Sequence, residues 1–168
     1  NWGLVFASLA VVARWPNPLT VIAALFVIGA RQLGCAVLMH EASHRSLFRE
    51  RRVNDFVGQW LCAYPVWSDL FAYRPYHLQH HAHTGTVRDP DLGLIRPFPI
   101  TRASLRRKIL RDLSGRTGVK FARAAFKRTF QRLRDPAARR AAIGMATTNV
   151  LLLGGLAALT YWLDAQVQ

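Results

Sequence analysis

The chain has 168 residues, of which 51% are hydrophobic, yet it carries a formal net charge of +14. A charge that large calls for nucleic acid or an anionic membrane surface as neighbour. Of the 23 Lys and Arg residues, 21 lie between Met39 and Ala141, between two apolar ends, so a membrane is expected and nucleic acid is not.

In chain order, Trp2 to Ala13 is apolar but shorter than the roughly 20 residues a bilayer crossing needs, so it reads as a short or truncated span. Arg-Trp-Pro-Asn-Pro at 14–18 reads as a turn with an interfacial aromatic. Val21 to Met39 is a full-length span carrying Arg31, which must face protein or water. In 53–67, Phe56, Val57, Trp60, Leu61 and Tyr64 share one helical face, which predicts an interfacial or re-entrant helix ending at Pro65. From Thr101 to Leu133 the chain is basic and amphipathic, with Leu105, Ile109 and Leu113, then Phe126, Phe130 and Leu133, at helical spacing; such helices lie on membranes or in water. Asp135-Pro136 reads as an N-cap and first helical residue, opening a last span over 141–163. Arg139 and Arg140 at its start place the 40–140 region on the cytoplasmic side. The two cysteines, Cys35 and Cys62, stand singly in apolar surroundings and read as small buried hydrophobes, not as a disulfide or thiolate site. The chain opens on Asn1 and stops soon after an apolar stretch, so it is expected to be one incomplete domain (1–168) of a longer protein. The fold class is all-α, a multi-pass transmembrane helical bundle with cytoplasmic interfacial helices.

All six histidines fall between positions 40 and 83. His40 and His44 are four apart, so on a helix they share a face and can converge on one ion. His77, His80 and His81 span about 100° of a helix, while His83 points elsewhere and reads as a supporting or surface residue. Five imidazoles at metal-ligand spacing suit iron, zinc, copper or nickel.

The two clusters, His40-Glu-Ala-Ser-His44 and His77-Leu-Gln-His80-His81, resemble the first two histidine boxes of the membrane fatty acid desaturase and hydroxylase family, and the match runs on through Thr84-Gly85 and Asp89-Pro90-Asp91. The family's third box has no counterpart, since no histidine follows His83. The resemblance implies an oxidoreductase with two iron ions, His40, His44, His77, His80 and His81 among their ligands, and dioxygen-driven removal of hydrogen from a lipid acyl chain. It further implies electrons from a separate ferredoxin or cytochrome, an integral-membrane, multi-pass location with the boxes on the cytoplasmic side, and little activity for this chain alone. Ligating histidines need acceptors on the other ring nitrogen, and Glu41, Asp55, Asp89 and Asp91 are the available carboxylates, with His83 a further neighbour. Trp60, Tyr64, Trp67 and Tyr73 would form an interfacial aromatic belt or line an acyl channel. Two other readings share these residues. A hydroxylase or ketolase of the same family, acting on a carotenoid or other lipid, would use the same boxes. His40-Glu41-Ala-Ser-His44 also satisfies HExxH, in which Glu41 would be the general base of a membrane zinc protease.

Overall fold

The computed structural model describes residues 1–165, except the side chains of Leu163 and Asp164. Its regular elements are helical throughout: α1 (Trp2–Arg14), α2 (Pro18–Ser43), α3 (Arg51–Val57), α4 (Leu70–His83), α5 (Leu92–Ile95), α6 (Arg102–Leu113), α7 (Arg116–Gln131) and α8 (Pro136–Ala165). No strand occurs among the described residues. Two compact units are present: Asn1–Leu70 together with the chain from Ile143, and Phe71–Ala142.

In the first unit, α2 begins four residues after α1 ends. Asn17 caps it, its side chain accepting from Leu19 and Thr20 N–H at 3.0 and 3.1 Å, and Pro18 occupies the first turn, where no backbone donor is needed. At 26 residues α2 is longer than the apolar run alone predicts, because the helix carries through to the first histidine pair. It ends where Arg45 adopts φ 61°, after which Ser46 folds back to donate both N–H and hydroxyl to the Glu41 carbonyl.

After α3 the chain continues as a π-helical segment, Gly58–Ala63, and a 3-10 turn, Tyr64–Val66. The helix predicted to stop at Pro65 is therefore wider in its middle and passes that proline by one residue. Helix widening leaves backbone carbonyls short of intrahelical donors. The Leu61 carbonyl accepts from the Trp2 indole at 3.1 Å, which ties α1 to this segment. Gly58 is required here: a Cβ on it would lie 2.4 Å from the Ala42 Cβ, so the segment rests directly on α2 two residues short of His44. Ala42, Ala63 and Leu70 are completely buried, with Cys35, Met39, Cys62 and Tyr64 nearly so. Both cysteines are reduced and buried, as their surroundings predict.

Tyr64 packs over Gly144 of α8, and its carbonyl accepts from Asn149 at 3.0 Å. Asp135 caps α8 as predicted, accepting from Ala137 N–H at 2.9 Å. α2 and α8 are each long and apolar enough to cross a membrane. Their outward residues are apolar: Leu19, Phe26 and Leu33 on α2 and Val150, Leu151 and Leu153 on α8 are all more than 60% exposed. Water would penalise such faces and lipid tails would not. At 13 residues, α1 is about 20 Å long, too short to cross.

In the second unit, the basic stretch expected as amphipathic is two helices. Gly115, with φ 74°, separates α6 from α7.

Candidate functional site

The structure places the histidines on two helices. His40 lies on the last turn of α2, and His44 is the residue that caps it. Their rings are 4.8 Å apart between centroids, inclined at 62°. Glu41 accepts from His40 Nδ1 at 3.0 Å and also from the Ser46 hydroxyl at 2.9 Å. With Nδ1 engaged by Glu41, Nε2 is the His40 nitrogen suited to a metal ion. Glu41 is therefore engaged by a neighbouring imidazole and a serine, contacts that a general base in the HExxH sense would have to exchange for water.

The second cluster lies wholly on α4, which is helical as its spacing predicts. His77 Nε2 and His81 Nε2 face one another at 3.0 Å, rings at 83°. Two nitrogens about 2.1 Å from one ion and at right angles to each other are also about 3.0 Å apart, so this pair fits a first-row transition metal. Tyr73, one turn earlier, stacks on the His77 ring, and its hydroxyl lies 3.2 Å from Nδ1. With Nε2 turned to an ion, Nδ1–H donates to that oxygen. Tyr73, expected in an aromatic belt or channel, thus orients a histidine.

His80 points to another partner. Its Nδ1 lies 2.7 Å from Asp89 Oδ1 and 3.7 Å from Asp91. The Asp89 carboxylate is fully buried and also accepts backbone N–H from Gly85 and Asp91, each at 2.8 Å. Gly85 adopts φ 75°, the turn that sends the chain back past the helix end. Thr84-Gly85 and Asp89-Pro90-Asp91 therefore form a clasp around one imidazole. The hydrogen bond from His80, helped by the two backbone donors, holds the Asp89 carboxyl at about 2, and Asp89 in turn raises His80 above its ordinary value. Asp91 accepts from the Tyr76 hydroxyl, which pushes that phenol up to about 12.

Of the other predicted supporting residues, Asp55 accepts from Asn54 at 3.1 Å, while half-buried His83 ends α4. Two buried amides matter more than sequence patterns indicate. Asn54 accepts from Leu47 and Phe48 N–H at 3.2 and 3.4 Å and donates to the Ala42 carbonyl at 2.9 Å, bracing the turn after His44. Gln59 accepts from Leu70 N–H at 2.7 Å and donates to Asp69 at 3.0 Å, setting the first residue of α4. Neither sits at a spacing that marks it. Tyr73, four residues before His77 on the same helical face, had such a spacing.

Arg31, expected to face protein or water, lines an apolar hollow of about 230 Å³ with Phe6, Ile28, Cys35, Asn149 and Leu152. No ion pair reaches its side chain among the described residues.

The fatty acid desaturase family model matches residues 16–167. The chain is 37% identical over 83 residues to dihydrorhizobitoxine desaturase from Bradyrhizobium elkanii, covering 48% of this chain and 22% of that protein. It is 36% identical over 74 residues to zeaxanthin 4-ketolase from Chlamydomonas reinhardtii, covering 43% of this chain and 17% of that protein. Against beta-carotene ketolase from Paracoccus sp. (strain PC1) it is 36% identical over 81 residues, covering 46% of this chain and 32% of that protein. The chain thus spans well under half the length of these relatives, and no solved structure matches it. With a family match over most of its length and both histidine boxes on helices, the chain belongs to the fatty acid desaturase family of oxidoreductases.

Proposed function

We propose that the protein carries out oxygen-dependent desaturation of a lipid acyl chain at a histidine-ligated di-iron centre, to which this chain contributes His40, His44, His77, His80 and His81. The observation that carries the reading is the His77–His81 pair, whose facing nitrogens are spaced for one ion inside a stretch that the family match covers and that resembles the second histidine box. Iron held there supplies dioxygen activation and abstraction of hydrogen from an unactivated methylene.

The chain's own residues hold the imidazoles in one tautomer. Glu41 on His40, Tyr73 on His77 and Asp89 on His80 each engage Nδ1, which leaves Nε2 as the donor atom. On this reading α2 and α8 are membrane spans with the boxes at the cytoplasmic face, where a hydrocarbon tail can enter and water is scarce. The apolar hollow beside α1, α2 and α8 supports an apolar substrate. Electrons would come from a ferredoxin or cytochrome.

The test is metal analysis and lipid product analysis of the full-length protein, beside H77A/H81A. Iron and a product lacking two hydrogens are expected in the parent, and neither in the variant. A protein that binds zinc alone and oxidises no lipid would refute the proposal. Ketolation is the second reading, favoured by the ketolases among the relatives. A product that has gained oxygen, with no new double bond, would select it.

A further inference from the structure

α6 and α7 form a hairpin whose corner is organised by a single acid. Asp112 accepts from Lys108 at 2.9 Å and from the Thr117 hydroxyl, while Arg111 donates to Thr117 at 3.1 Å. Between 102 and 134, Asp112 is the only carboxylate against 12 Lys and Arg residues, so most of that charge has no local counter-charge.

On α7 the cations are ordered. Arg116, Lys120, Arg123 and Lys127 are all exposed and fall within an arc of about 60°. None of the four forms an ion pair among the described residues. Ser114, Arg116, Val119, Lys120 and Arg123 line a hollow of about 380 Å³. Along one flank of the cationic stripe run Val119, Phe126 and Phe130, which are 51%, 43% and 64% exposed.

A cationic stripe bordered by exposed aromatics suits the boundary between headgroups and acyl chains, where each face finds its own solvent. An acidic soluble protein would satisfy the cations and leave the phenylalanines in water. Chain connectivity agrees: α7 ends at Gln131 and the membrane-length α8 begins at Pro136, so at most about 18 Å of chain separates their ends.

We propose that the hollow formed by Arg116, Lys120 and Arg123 binds the phosphate of an anionic phospholipid headgroup, with Val119, Phe126 and Phe130 set into the adjoining acyl boundary. The site is independent of the metal centre and stands whether or not the oxidative reading holds.

The full chain in neutral detergent micelles is titrated calorimetrically with short-chain phosphatidylglycerol, with phosphatidylcholine of the same chain length, and with an acidic ferredoxin. Phosphatidylglycerol should bind more tightly than phosphatidylcholine. R116Q, K120Q and R123Q should each weaken it about fivefold, and the triple variant on the order of a hundredfold, with unchanged helical circular dichroism. R49Q/R51Q/R52Q removes the same charge elsewhere and should leave the titration near that of the parent. Equal binding of the two lipids, or equal loss in both triple variants, would overturn the site. Loss of ferredoxin binding with the lipid titration unaltered would reassign the surface to a protein partner.

Discussion

His40 and His80 each present Nδ1 to a carboxylate, but by different means. Glu41 is the next residue in the chain, and its side chain is 46% exposed. Asp89 arrives from nine residues away through a turn that needs Gly85 at positive φ, and its side chain is wholly buried. A half-exposed carboxylate next to its histidine can be replaced by water with little rearrangement. A buried one cannot, because its loss strands the imidazole N–H and two backbone donors together. Supporting residues of one chemical kind therefore differ in consequence according to burial.

The sharpest way to break that comparison is Asp89→Asn in the full-length protein. An asparagine keeps one acceptor oxygen but must turn its NH2 against a buried donor, either Gly85 N–H or the His80 and Asp91 N–H groups. Metal affinity or turnover should therefore fall by up to about 100-fold, read by metal titration and product formation. An effect no larger than that of Glu41→Gln would show that burial does not rank the two.

The same clasp predicts a pH window in the metal-free protein. Asp89 is depressed to about 2, so its contribution is present above the ordinary Asp value near 3.9 and is lost as pH falls through about 2. His80 is raised, so its contribution is full below about 6.5 and is lost as pH rises through the folded value. Thermal melts should therefore show a plateau between roughly pH 4 and 6.5, flattened by Asp89→Asn.

Asn54→Ala asks whether the first box relies on its surroundings as the second relies on Asp89. Asn54 is fully buried and serves three backbone groups, and exposing such groups to an apolar core costs about 1–3 kcal/mol. A melting temperature within error of the parent would remove it as the brace of the turn after His44.

Glu41→Gln should cost about tenfold or less in turnover, since a glutamine oxygen can still accept from His40. Near-complete loss of activity with metal retained would restore a general-base role. Tyr73→Phe comes last: stacking on His77 survives and one hydroxyl is lost, so a few-fold change in metal affinity is expected, on the order of 1 kcal/mol.

Helical spacing made the histidines readable, because His40/His44 and His77/His81 meet only if both segments are helices, and hydropathy made α2 and α8 readable. The carboxylates were not rankable: Glu41, Asp55, Asp89 and Asp91 look alike as letters. Only turn geometry sends Asp89 to His80 and buries it there, while Glu41 stays half exposed beside His40. The division of the basic segment at Gly115 and the π-helical stretch from Gly58 were also missed, since a glycine inside an amphipathic pattern is read as part of the helix.

Residue order alone determined the all-α class, the apolar helices and the histidine-bearing faces, because hydropathy and the 3.6-residue period are local properties of a chain. Tertiary structure decided which acid holds which imidazole, which glycines must stay bare, and where buried amides brace the turns. Those depend on desolvation and on contacts between residues distant in sequence, and no local pattern encodes them.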